Sequence, residues 1–164
     1  MSGKKKKVRV LMVCLGNICR SPTAHGVFQH HIERAGLTDV IRVDSAGTGD
    51  FHIGEKPDKR SRAAAKKRGY SIGGLRARQV QPEDFEKFDY ILAMDDNNLR
   101  DLMLLCPKPH RHKLSLFMEF ADSNYSAVPD PYYGKGDAFE LVLNLVEEAS
   151  EALLAHIMIH DLNG

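Results

Sequence analysis

The segment Cys14-Leu15-Gly16-Asn17-Ile18-Cys19-Arg20-Ser21-Pro22 carries a thiol and a guanidinium with five residues between them. Gly16 and Asn17 tolerate positive φ, so the backbone can turn successive N–H groups toward one point, a nest that suits an anion. Pro22 reads as the first residue of a helix with Ser21 as its N-cap, and a helix N-terminus adds partial positive charge. The Arg20 fork matches two phosphate oxygens at once. A free thiol, with a pKa of about 8.5, is only a few per cent ionised at pH 7, and a helix N-terminus or an adjacent cation lowers that value. The pattern therefore predicts an ionised Cys14 at the bottom of a phosphate-sized cradle, a nucleophile toward phosphorus. The alternative, a core cysteine at a strand end, leaves Arg20 and the loop residues unexplained.

Expelling a phenolate from phosphorus calls for an acid, because the conjugate phenol has a pKa of about 10. A positioned acid contributes about 10² to 10⁴ in rate. Asp130, in Val128-Pro129-Asp130-Pro131-Tyr132-Tyr133-Gly134, is the candidate, with a proline on either side to stiffen the chain. A neighbouring phosphate dianion favours the protonated carboxyl, so the acid role belongs to the substrate complex. Tyr132 and Tyr133 are placed to wall an aromatic substrate. Judged alone, the segment reads equally well as a surface turn.

These residues need a scaffold, and the chain alternates apolar runs with helical patterns. Strands are predicted at Val8–Val13, Val40–Val43, Tyr90–Met94 and, more weakly, Lys113–Leu116. Helices are predicted from Pro22 to Gly36, Asp58 to Arg68, a short one opening at Pro82-Glu83-Asp84, Asp95-Asp96 to Leu105, and Asp137 to His160. Asp44 to Gly49 and Pro129 to Gly136 read as loops. Such alternation predicts an α/β fold: an open, parallel, twisted sheet with helices on both faces. In such sheets ligands sit at the carboxyl ends of the strands, beyond Val13, Val43 and Met94.

The 164 residues suit one domain, 8–164, behind a flexible basic tail at 1–7 that holds Lys4 to Lys7. A net charge of +1, from 23 basic and 22 acidic residues, argues against nucleic acid as a partner. No apolar run approaches the roughly 18 residues of a membrane span. Three cysteines are too few for a disulfide scaffold, so a reduced, cytoplasmic setting is expected. Cys106, His110 and His112 crowd together without usual zinc spacing, and no metal or cofactor is expected. Gly49 to Lys56 echoes a nucleotide-binding loop only faintly, since Glu55 stands where its lysine belongs.

Cys14 to Pro22, Asp44-Ser45-Ala46-Gly47-Thr48, Ala77-Arg78-Gln79, Phe88 to Asp95 and Asp130-Pro131-Tyr132-Tyr133, in this order, resemble the low-molecular-weight protein tyrosine phosphatase family. The resemblance runs from about Val8 to the final helix and implies a four-stranded parallel sheet. It implies a phosphocysteine on Cys14, phosphoryl binding by Arg20, and Asp130 as acid and then base. Substrate contacts would come from Leu15, Gly16, Asn17, Ile18, Cys19 and Ser21, with Phe51, Tyr132 and Tyr133 shaping an aromatic slot. It further implies that Asn17 and Ser45 hold the loop, that Ser21 assists Cys14, that Cys19 is its redox partner, and that Asp95 supports the site. Substrates would be phosphotyrosine-containing proteins, and inorganic phosphate or similar oxyanions would be ligands.

The chain departs from the family in places. Phe51 replaces a common tryptophan, His25 an acidic residue and Leu75 a frequent histidine, so a family pair near the loop is expected to be absent. Ile18 points away from phosphoarginine phosphatases, which favour threonine there. A thioredoxin-coupled arsenate reductase of the same fold would need two further cysteines, and only Cys106 follows Cys19. A non-catalytic phosphotyrosine-binding module should lack the nucleophile or the acid, whereas Cys14, Arg20 and Asp130 are all present.

Overall fold

A computed structural model describes residues 7–162. In chain order it has β1 (Val8–Cys14), α1 (Arg20–Arg34), β2 (Ile41–Gly47), α2 (Lys59–Lys67), α3 (Pro82–Lys87), β3 (Tyr90–Ala93), α4 (Asp96–Leu105), β4 (Leu114–Leu116) and α5 (Gly136–His160). Short 3₁₀ turns occupy Lys108–Lys113 and Phe117–Phe120. The strands form one sheet in the order β2-β1-β3-β4, and every neighbouring pair is parallel. This is the α/β architecture that the alternation predicts. Most of the expected basic tail, residues 1–6, lies outside the described residues, and Lys7 is exposed.

The pleat of β1 divides the interior. Val8, Val10, Met12 and Cys14 share the larger core with Leu92, Met94 and apolar residues of α1, α2 and α5. Leu11 and Val13 point the other way, with Ile91 and Ala93, toward Phe85 of α3 and Leu102 of α4. Strands covered on both faces are apolar nearly throughout, which is why β1 reads as a run rather than an alternation. On α5 the buried positions Phe139, Val142, Val146, Ala149, Leu153 and Ile157 recur every three or four residues and lay one stripe on this core. β1 and β3 are neighbours, yet α1 and α4 pass to opposite faces of the sheet. That reversal opens a crevice beyond their carboxyl ends. Among the described residues, no helix is long and apolar enough to cross a membrane.

Several element ends differ from the sequence reading by a residue or two, and three differences bear on the site. β2 runs on through Asp44, Ser45, Ala46 and Gly47, residues read as a loop. Pairing with Leu11, Met12, Val13 and Cys14 of β1 outweighs their turn propensity. Helix α1 begins at Arg20 with Cys19 in the capping position, so Ser21 is inside the helix rather than its cap. Its hydroxyl is engaged with Cys14 instead. β3 ends at Ala93, although the Met94 N–H still donates to the Val13 carbonyl at 3.0 Å.

Candidate active site

The loop after β1 is pinned from outside through its carbonyl groups. Those of Cys14 and Leu15 accept from the N–H groups of Thr48 and Gly49, both at 2.9 Å, and that of Ile18 accepts from Asp58 at 2.7 Å. Asn17 takes φ 57°, reversing the chain direction. Gly47 has no side chain because there is no room: a Cβ there would lie 2.6 Å from the Leu15 oxygen. With the carbonyls drawn outward, the N–H groups of residues 15–19 have no protein acceptor among the described residues. They sit at the N-terminus of α1, whose dipole favours negative charge.

Behind this nest a chain of hydrogen bonds reaches the thiol. The Arg78 N–H, which can only donate, bonds to Asn17 Oδ1 at 3.0 Å and so fixes the orientation of that amide. Asn17 Nδ2 then donates to Ser21 Oγ at 2.7 Å. With its oxygen accepting there, the Ser21 hydroxyl proton is free for Cys14 Sγ at 3.0 Å. The more distant Ala46 carbonyl, at 3.5 Å, is a weaker competitor. Arg78 itself is held by Asp44 and Asp84, and Asp84 also caps α3 by accepting from the Gln81 N–H.

Arg20 is 3% exposed. Its Nη1 donates to Asp95 Oδ2 at 2.6 Å and to the Val128 carbonyl at 3.0 Å, and its Nη2 lies 3.8 Å from Asp130 Oδ2. Asp95 serves two elements, since its Oδ1 caps α4 by accepting from Asn98 at 2.8 Å. Asp130 is half exposed, and its Oδ1 accepts from the Tyr132 N–H at 3.0 Å in a tight turn.

Cys14, Arg20 and Asp130 line one cavity of about 430 Å³, with Phe51, Tyr132 and Tyr133 at its mouth. Leu15, Gly16, Ile18 and Cys19 also line it, whereas Asn17 and Ser21 lie behind the loop, buried. Ser45 and Asp95 stand outside the lining as well. Tyr132 and Tyr133 meet edge to face at 5.0 Å, and the Tyr133 ring is almost wholly exposed. His52, which sequence reasoning did not single out, lines the same cavity and pairs with Glu55 at 2.9 Å. Arg78 is another residue that the sequence does not single out: its contacts with Asp44 and Asp84 leave no recognisable motif in the sequence.

Cys19 is buried, and burial pushes its thiol up to about 12 against the opposing hydrogen bond from Ser61. Cys106 belongs to the smaller core on the other face, where burial raises its thiol too. His25 and Leu75 share the wall of a separate cavity of about 300 Å³. In place of the absent pair, His25 Nδ1 meets Ser45 Oγ at 2.9 Å, while Leu75 packs against the larger core.

Comparison with known proteins agrees with this geometry. The family model for low molecular weight phosphotyrosine protein phosphatase matches residues 9–161. The low molecular weight phosphotyrosine protein phosphatase of Schizosaccharomyces pombe is 47% identical over 136 residues, covering 82% of this chain and 86% of its own. A crystal structure of a protein tyrosine phosphatase from Entamoeba histolytica, with Hepes in the active site, superposes with a TM-score of 0.91 at 39% identity, covering 93% of this chain and 98% of that one. A Bacillus subtilis structure gives a TM-score of 0.91 at 38% identity, covering 97% and 99%. On this match and the sheet topology, the chain belongs to the low molecular weight phosphotyrosine protein phosphatase family.

Proposed function

We propose that the protein hydrolyses phosphotyrosine in protein substrates through a phosphocysteine on Cys14. The observation that carries this reading is the convergence of Cys14, Arg20 and Asp130 on one cavity, floored by loop N–H groups that have no protein acceptor among the described residues. The phosphoryl oxygens would take the loop N–H groups and the Arg20 fork, and Cys14 Sγ would attack phosphorus in line with the phenolic oxygen. As the P–O bond breaks, Asp130 gives its proton to the leaving phenol. Water then attacks the phosphocysteine, Asp130 accepts its proton, and the Ser21 hydroxyl donates to the departing sulfur. Most of the rate would come from positioning and fixed dipoles, as suits a loose phosphoryl-transfer transition state. Phe51, Tyr132 and Tyr133 would hold the phenol ring, and inorganic phosphate, the product, would occupy the same cradle.

A redox role for Cys19 belongs to the same reading. Peroxide would oxidise Cys14 to a sulfenic acid, which condenses with the Cys19 thiol to a disulfide and releases water. The assignment of residues 8–164 to one domain is likewise proposed, supported by the single sheet and the matched span 9–161. So is a cytoplasmic setting, where thiols stay reduced. The test is turnover of p-nitrophenyl phosphate and a phosphotyrosine peptide with a chelator present. Cys14→Ser should be inactive, and Asp130→Ala should lose about 10² to 10⁴ on poor leaving groups. Full activity in Cys14→Ser would overturn the covalent mechanism, and an Asp130→Ala loss no larger than that of a remote surface variant would overturn the acid assignment.

A further inference from the structure

The segment that carries Asp130 has no regular structure of its own between Phe120 and Gly136. Its entry is fixed: the Val128 N–H donates to Met94, and the Val128 carbonyl accepts from Arg20. Beyond Asp130 the backbone bonds are local, from Gly134 to Pro131 and from Tyr132 to Asp130 itself. Local bonds shape a turn but do not place it against the rest of the molecule.

Arg20 approaches the Asp130 carboxylate at 3.8 Å, but among the described residues the turn's own backbone is hydrogen-bonded by one outside side chain. Arg60, in the first turn of α2, donates from Nη2 to the Tyr132 carbonyl at 2.8 Å and from Nη1 to the Gly134 carbonyl at 3.3 Å. Its guanidinium also stands 4.6 Å from the Phe139 ring centroid and 5.7 Å from that of Tyr132. The fork is aimed by Asp58, which takes Nε at 3.1 Å and Nη2 at 3.0 Å. Burial works against ionisation of Asp58, but hydrogen bonds from Arg60 outweigh it and hold the carboxyl below its usual value. Asp58 in turn grips the phosphate loop, through its N–H to the Ile18 carbonyl at 2.7 Å. The start of α2 thus has one hand on the nucleophile's loop and the other on the acid's turn.

We propose that Arg60, aimed by Asp58, is a positioning residue that sets Asp130 at the height of the leaving-group oxygen. The inference rests on Asp130 being the general acid. Arg60 does not line the cavity, so its effect should pass through the acid alone and grow as the leaving group becomes more basic. A residue that merely secured the fold would lower all substrates equally.

The experiment compares kcat/KM for p-nitrophenyl phosphate, whose phenol leaves readily, with that for phenyl phosphate, in four proteins: wild type, Arg60→Met, Asp130→Ala and the double variant. Arg60→Met keeps an apolar stem against Phe139. It should lose at least about tenfold more on phenyl phosphate than on p-nitrophenyl phosphate, and lose nothing further when added to Asp130→Ala. Asp58→Asn, which keeps a side chain able to cap α2, should show the same pattern to a smaller degree. A uniform loss on both substrates, or an additive effect in the double variant, would overturn the proposal. If Asp130→Ala itself shows no leaving-group dependence, the acid assignment has failed instead, and the two failures are thereby distinguished.

Discussion

Cys14 and Cys19 are both buried and both reach the same cavity, yet their neighbours differ. Cys14 Sγ has the Ser21 hydroxyl at 3.0 Å. Cys19 is pushed up to about 12 by burial, which keeps it a thiol at neutral pH. Iodoacetamide should therefore alkylate Cys14 in the folded protein and leave Cys19 intact until the chain is denatured. Inorganic phosphate should slow the Cys14 reaction by occupying the cradle. Mapping of labelled peptides reads both residues at once, and equal labelling of Cys19 in the folded protein would contradict the environment described. After peroxide treatment the same map should show Cys14 and Cys19 joined and both protected. The roles of Ser21 and Asn17 depend on this neighbourhood and were legible only in part. A serine next to a helix start reads equally as a cap, and nothing local says that its hydroxyl turns back to β1.

The elements were far more legible than their ends. β1 and α5 announce themselves through long apolar patterns, and Asp95 through its capping position before α4. The sequence pattern ends β2 early because Asp44, Ser45 and Gly47 are turn formers by local chemistry. The ladder to β1 and the bond from Gly47 N–H to the Arg78 carbonyl at 2.8 Å, which hold them extended, come from distant parts of the chain. Arg60 was hidden for the same reason: its partners Tyr132 and Gly134 lie more than seventy residues away. Asp95 joins two elements, which gives a test of what binds β3–α4 to α1. Asp95→Asn preserves a good N-cap for α4 but removes the charge opposite the buried Arg20. Leaving a buried cation unpaired costs about 3–5 kcal/mol, and the value here should fall toward the lower end because the Asp95 side chain keeps 25% exposure. Urea denaturation should show the midpoint falling with an unchanged m-value. A change below about 1 kcal/mol would mean that the Val128 carbonyl and Asp130 suffice for Arg20.

Taken whole, the molecule supports its crevice from both faces of the sheet: α1, α2 and α5 hold the thiol side, while α3 and α4 hold Arg78 and Asp95 on the other. His25 ties α1 to β2 across this arrangement through Ser45, and that tie makes stability depend on pH. Burial lowers the His25 pKa from 6.5; Asp44 opposes the shift and Arg78 reinforces it. The unfolded chain therefore takes up a proton at this position near pH 6.5, before the folded protein does. Above that pH both states are neutral and the contribution of His25 is complete. As pH falls through 6.5 toward the lower folded value, protonation favours the unfolded state and stability declines, by at most about 1.4 kcal/mol per pH unit from this one group. His25→Gln can still hydrogen-bond Ser45 but does not titrate. Its stability relative to wild type, from urea curves between pH 5 and 8, should be constant at pH 7 to 8 and rise steadily below pH 6.5. The other seven histidines are common to both proteins and cancel in the difference. Parallel curves across that range would mean that His25 is as readily protonated in the folded protein as in the unfolded chain, and that the bond to Ser45 survives with the imidazolium as donor.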